Sequence, residues 1–130
     1  MVNEKRGIPK NLNLLLSGLI VIVAGVVYGG HPTYLMPELL NFNVEALELK
    51  NMLRAVMGIY IGIGSYWLLG AFKPNLWSGA TLSNVLFMGG ISFGRIVSTV
   101  FDGVSMLLTP ALFLELLFFG WGLYNIKKYK

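Results

Sequence analysis

Four ionisable residues fall where a chain this apolar has little room for them: Arg54, Arg95, Asp102 and Glu115. A charged group at membrane depth costs at least a few kcal/mol unless it faces protein or water, so each needs a reason. Arginine stays charged and presents a planar fork of donors that matches a carboxylate. Two arginines and two acids can form a structural ion-pair network. Alternatively, the arginines can hold an anionic group in a polar pocket, or Glu115 can carry a proton. Helical spacing gathers these residues. In steps of three or four, Asn84, Met88, Ile91, Arg95, Thr99 and Asp102 make one stripe. Arg54 shares a face with Gly58, Gly62 and Ser65, and small residues mark close helix contact, so Arg54 is expected to point into a bundle. Glu115 and Gly122 share another face. The expected pairs are Arg95 with Glu115, and Arg54 with Asp102 or Glu115. Asn84 is expected to bond a neighbouring helix, with a water-lined cavity as the alternative. The candidate cluster, ligand-binding or structural, is therefore Arg54, Arg95, Asp102, Glu115, Asn84 and Thr99, and no residue is assigned as catalytic.

The elements that must position these groups follow from composition. Of 130 residues, 55% are hydrophobic and 12% charged, and the mean hydropathy is +0.68. A soluble domain carries about twice that share of charge. A single membrane domain over 1–130 is expected, with apolar spans at about 12–28, 55–72, 76–101 and 107–126. Each approaches or exceeds the roughly 20 residues that cross a bilayer core. The short-range alternation of a β-barrel is absent, so the fold class is all-α, a four-helix transmembrane bundle. No A-x-A-like cleavage site follows the first span, which is expected to be retained.

Charge placement sets the expected topology. Lys5, Arg6, Lys10, Lys73, Lys127, Lys128 and Lys130 fall on one side of four spans, opposed only by Glu4. Glu38, Glu45, Glu48 and Lys50 fall on the other, with Asp102 at its edge. By the positive-inside rule both termini are cytoplasmic. Trp67, Trp77 and Trp121 fall near the inner ends of spans two to four, where such rings anchor at the interface. The long connection 29–50 is acidic and partly apolar. Asn43 is the expected N-cap of a helix starting near Val44, and Leu35, Met36, Leu39, Leu40 and Phe42 are expected to rest on the outer membrane surface. Gly25/Gly29, Gly58/Gly62 and Gly90/Gly94 have the spacing of packing motifs, and Gly18 and Gly120 are expected to pack in the same way.

Several functions are excluded or disfavoured. The chain has no cysteine, which removes disulfides and thiolate metal sites, and its one histidine, His31, makes no cluster. No metal or cofactor is expected. No phosphate loop, dinucleotide fingerprint or hydrolase triad is present. The net charge of +4 is a topology signal and not a nucleic-acid footprint.

Pro37-Glu38, Leu53-Arg54 followed by Gly58, Gly94-Arg95, Asp102-Gly103 and Glu115 together carry a likeness. With them, the chain resembles a small bacterial family of four-helix membrane proteins, catalogued as a domain of unknown function and DoxX-like in appearance. That resemblance implies a bacterial inner-membrane protein and points to the same arginines and acids, but it brings no activity with it. The leading expectation is a non-enzymatic accessory or stabilising subunit, with the bilayer, other membrane subunits or a second copy as partners. The alternative is a binder or carrier of a small anionic or lipid-like ligand at Arg54, Arg95 and Glu115. The third is a membrane enzyme using Glu115 as acid or base.

Overall fold

A computed structural model describes residues 9–129. Glu4, Lys5, Arg6 and Lys130, used in the charge argument, lie outside the described residues. The described chain is all-helical: α1 (Leu12–Gly29), a short α2 (Pro32–Leu35) running into a π-helical turn (Met36–Leu40), α3 (Leu47–Phe72), α4 (Pro74–Asp102) and α5 (Ala111–Tyr129). Only Lys73 separates α3 from α4. Pro74 opens α4 at its first position, where a missing N–H costs nothing.

Consecutive long helices pack against one another, α1 along α3, α3 on α4 and α4 on α5. At one end, here the terminal end, the indole of Trp77 at the start of α4 donates to the Lys10 carbonyl (3.4 Å), and so does Asn125 near the end of α5 (3.4 Å). The opposite, loop end holds the 30–46 and 103–110 connections. The core is made by Leu14, Val21, Trp67, Ala71, Trp77, Ala80, Met88 and Phe118. Large apolar side chains such as Val23, Leu86, Phe93 and Phe113 lie on the outside, at 62 to 72% exposure. So much outward apolar surface suits lipid rather than water. α1, α3 and α4 are long and apolar enough to cross a membrane. α5 falls outside that description because Glu115, Lys127 and Lys128 interrupt its 19 residues.

Several expectations need correction. α3 starts at Leu47 after an extended Ala46, not near Val44, and Asn43 does not cap it. The reason is Val44, which is buried at 2% exposure in the non-helical stretch before α3. α5 starts at Ala111 rather than 107, since Ser105 to Pro110 form turns held by the Ser105 N–H donating to Thr109 Oγ1 (2.8 Å). Met36 does not rest on a surface but is fully buried. Trp67 is likewise fully buried, its indole donating to Ser83 Oγ (3.0 Å), so it is a core residue and not an interface anchor. The glycines divide sharply. A Cβ on Gly25 or Gly29 would press on Tyr60, Met57 and the Leu53 carbonyl, so the absence of a side chain there is what lets α1 approach α3. A Cβ on Gly58, Gly62, Gly90, Gly94 or Gly120 would meet nothing within 4 Å among the described residues, so these are not packing positions within the chain.

Candidate functional site

The loop end brings Arg95 and Glu115 together. Arg95 lies about two turns from the end of α4, and Glu115 about one turn into α5. The antiparallel pairing of these helices across a short connection sets the two at one level. Arg95 Nε donates to both oxygens of Glu115, each at 2.8 Å. Their side chains are 21% and 12% exposed, so most of the pair is withdrawn from the surface. The Tyr28 side chain from α1 lies close to the same guanidinium.

Arg95 borders three spaces. The first, about 120 Å³, lies between the helices and is mainly apolar, with Tyr28, Tyr60, Phe87, Met88 and Phe118 around Arg95 and Glu115. The second is an open groove of about 550 Å³ between α3 and α4, lined by Leu53, Val56, Gly90 and Gly94, with Tyr28, Tyr60 and Arg95 shared with the first. The third, about 90 Å³, runs under the 103–110 connection past the hydroxyls of Ser98, Thr99, Ser105 and Thr109 as well as Leu108. Three rings that wall the first space form an edge-to-face series, Tyr28 on Tyr60 (5.9 Å) and Tyr60 on Phe87 (5.3 Å), which continues into the core with Phe87 on Trp67 (5.2 Å).

Of the remaining candidates, Thr99 borders the third space with Arg95, and Arg54, Asp102 and Asn84 line none of the three. Arg54 pairs with neither Asp102 nor Glu115. It is exposed, and its Nη1 donates to the carbonyls of Gly29 (2.6 Å) and Gly30 (2.7 Å) at the end of α1. Those carbonyls have no partner further along the helix, and a cation is the favoured cap at a C-terminus. Asp102 is exposed and accepts from Ser98 Oγ (3.0 Å). The Thr99 hydroxyl turns back to donate to the Arg95 carbonyl (2.7 Å). Asn84 belongs to the terminal end, where its Nδ2 donates to Ser17 Oγ on α1 (2.7 Å), a bond to a neighbouring helix. His31 is exposed, edge-on to Tyr34. Among the described residues no group of acids or histidines could hold a metal ion.

Tyr28 and Tyr60 were missed by the sequence reading, as were Asn13 and Ser17 beside Asn84. The signal for the last two was available: a polar pair one turn apart inside an apolar run is as anomalous as a charge there.

Three helices fit to span a bilayer, an apolar exterior and a sequestered ion pair define the class, an all-helical membrane protein. The chain belongs to the family described as Domain of unknown function (DUF4345), whose model matches residues 10–125. No curated protein and no solved structure matches it. Bacterial origin and DoxX likeness rest on the short motifs alone.

Proposed function

We propose that the chain is a four-span membrane protein that binds the head of a lipid-like molecule at Arg95, in a pocket reached sideways from the bilayer. The observation that carries this is the junction at Arg95 of an apolar chamber and an open groove between α3 and α4. Glu115 takes the Nε donor of the guanidinium, Tyr28 lies beside it, and the Arg95 side chain lines both spaces. Guanidinium donors suit an oxygen acceptor, a carbonyl, carboxylate or phosphate head. A chamber of about 120 Å³ is smaller than a drug-sized site of about 300–1,000 Å³, but the groove supplies room for a chain. The net neutrality of the pair favours a weakly charged head over a multiply charged one.

Lys10, Lys73, Lys127 and Lys128 gather at the terminal end, which supports a cytoplasmic location for both termini and an outward-facing Arg95 pocket, in an inner membrane. α5 then crosses as the fourth span. Its Glu115 is paired, and its lysines lie in the last turn, where long side chains reach the interface.

The accessory-subunit reading has its own support in the open faces at Gly58 and Gly62 on α3, where a further helix has room to approach. The same experiment separates the two. The chain is extracted from native membranes in mild detergent, and the intact particle is weighed by native mass spectrometry. Retention of a lipid-sized mass, reduced at least tenfold in Arg95→Lys, is the expected result. A lysine keeps the charge but loses the fork. A second polypeptide in fixed ratio with no small mass would establish the accessory role in place of binding. Glu115 as an acid–base catalyst is the weakest reading, since both its oxygens accept from Arg95.

A further inference from the structure

The space beneath the 103–110 connection differs from the chamber that Arg95 also borders. Glu115 lines the chamber, so there the guanidinium and its counter-charge face one volume. Under the connection, Arg95 is joined by the hydroxyls of Ser98, Thr99, Ser105 and Thr109, and no acid lines the space. The hydroxyls are not equivalent. Ser98 Oγ donates to Asp102 (3.0 Å) and Thr99 Oγ1 donates to the Arg95 carbonyl (2.7 Å), so both of those hydrogens are committed. Ser105 and Thr109 work the other way. Thr109 Oγ1 accepts from the Ser105 N–H (2.8 Å), and Ser105 Oγ accepts from the Leu108 N–H (3.1 Å). Each hydroxyl still has its one hydrogen to give, and neither gives it to a described residue. The backbone thus fixes both oxygens in the turn and leaves both O–H groups as donors. Gly103 lets the chain leave α4 for this turn, with a φ of 106° that side-chain-bearing residues rarely adopt.

We infer that this space seats a singly charged oxyanion, the head of an amphiphile whose tail lies in the groove between α3 and α4. The inference rests on the lipid-like reading above and assigns the chemistry of the head. Arg95 supplies the charge, and the Ser105 and Thr109 hydroxyls supply two further donors. Arg95 and Ser98 line both this space and the groove, which makes them the junction between head and tail.

The charge count selects the head. One positive group among the lining residues matches one negative charge. A dianion would bring excess negative charge toward the Glu115 carboxylate, which is paired with the same guanidinium. A neutral head forgoes the charge-assisted bond, and a cationic head is repelled. The space, about 90 Å³, suits a compact group. A fatty-acid carboxylate and the phosphodiester of an anionic phospholipid share this chemistry, and the test separates them.

The chain in neutral detergent is titrated with oleate, phosphatidylglycerol, oleyl alcohol and butyrate at mildly alkaline pH, where carboxylates are ionised, and bound mass is read by native mass spectrometry. Oleate or phosphatidylglycerol is expected to bind, and the tighter of the two identifies the head as carboxylate or phosphodiester. Oleyl alcohol has a tail and no charge, and butyrate has a charge and almost no tail. Each is expected to bind at least about tenfold more weakly than the preferred anion. Equal binding of oleyl alcohol overturns the oxyanion, and equal binding of butyrate overturns the link to the groove. Ser105→Ala and Thr109→Val are each expected to raise the Kd of the preferred anion about tenfold, as for loss of a hydrogen bond to a charged group. Thr109→Ser keeps the hydroxyl and should keep the affinity. Both hydroxyls also hold the turn, so the wild-type comparison of charged and uncharged ligands carries the test if those variants fold poorly. Undiminished affinity in a folded Thr109→Val, with binding still lost in Arg95→Lys, overturns this inference and leaves the proposed function standing. A wild-type chain that retains no lipid-sized mass from native membranes strikes the proposed function, and this inference with it.

Discussion

At the terminal end the buried polar side chains are neutral and sealed in, with Asn13, Ser17, Asn84 and Trp67 fully buried beneath a rim of lysines. At the loop end they are charged and border open space, with Arg95 facing three cavities and Arg54 exposed at the surface. Both ends tie helices together with polar contacts, but they do so at different cost. A neutral amide tolerates burial once its hydrogen bonds are met, whereas a guanidinium needs a counter-charge as well. The terminal end can therefore close around its polar groups and join three helices. The loop end keeps its charges at the edges of the packing, and that arrangement leaves room for a ligand.

The largest expected effect tests whether the Arg95–Glu115 pair is as deeply committed as its geometry indicates. Glu115→Ala strands a guanidinium and Arg95→Ala strands a carboxylate. Each should cost about 3 kcal/mol, the low end for a buried pair because some exposure remains. The double replacement Arg95→Met with Glu115→Leu should return most of that loss, since no unpaired charge is left. Denaturation midpoints in mixed detergent would read all three. If the double variant is as weak as the singles, the pair is a stabilising tie like those of the terminal end, and the contrast between the ends collapses.

Next in size is a contrast between glycines. Gly29→Ala drives a methyl group against Met57 and the Leu53 carbonyl, and should cost about 1–3 kcal/mol by forcing α1 off α3. Gly58→Ala and Gly62→Ala face open space and should instead stabilise α3, by about 0.5–1 kcal/mol each in the same assay. A loss at Gly58 or Gly62 would mean that another helix already occupies that face, and would favour the accessory-subunit reading.

These sites also mark how far the sequence could be read. The helices were legible because long apolar runs leave few alternatives, and Pro74 and Lys73 placed the α3–α4 turn almost to the residue. Arg95 and Glu115 could be paired from depth alone, because an antiparallel hairpin fixes the level of residues near its turn. Arg54 could not. Its face was assigned from Gly58 and Gly62 on the rule that small residues mark contact, yet α1 approaches α3 through Gly25 and Gly29 on its own side. A glycine spacing shows that a close approach is possible, not which partner makes it. The start of α3 was misplaced for a related reason. Asn43 has the chemistry of a cap, but the burial of Val44 keeps the chain extended to Ala46, and tertiary packing decided the boundary. The polar group at Asn13 and Ser17 carries no charge to mark it, although neutral amides in an apolar run obey the same argument.

The smallest expected effect concerns Arg54, the charge whose role differs most from its sequence-based assignment. As a cap it satisfies the last carbonyls of α1 from an exposed position, so Arg54→Gln should cost only about 1 kcal/mol. Most of that loss should be local, because the glutamine amide is shorter and carries no charge. Hydrogen exchange at the amides of Val26 to Gly30 would then speed up, while those around Trp67 would stay protected. A loss as large as that of Glu115→Ala would require a buried counter-charge for Arg54 and restore the four-charge network. A loss confined to the end of α1 leaves Arg95 and Glu115 as the one ion pair among the described residues, and makes the groove beside them the place where the loop end departs from simple packing.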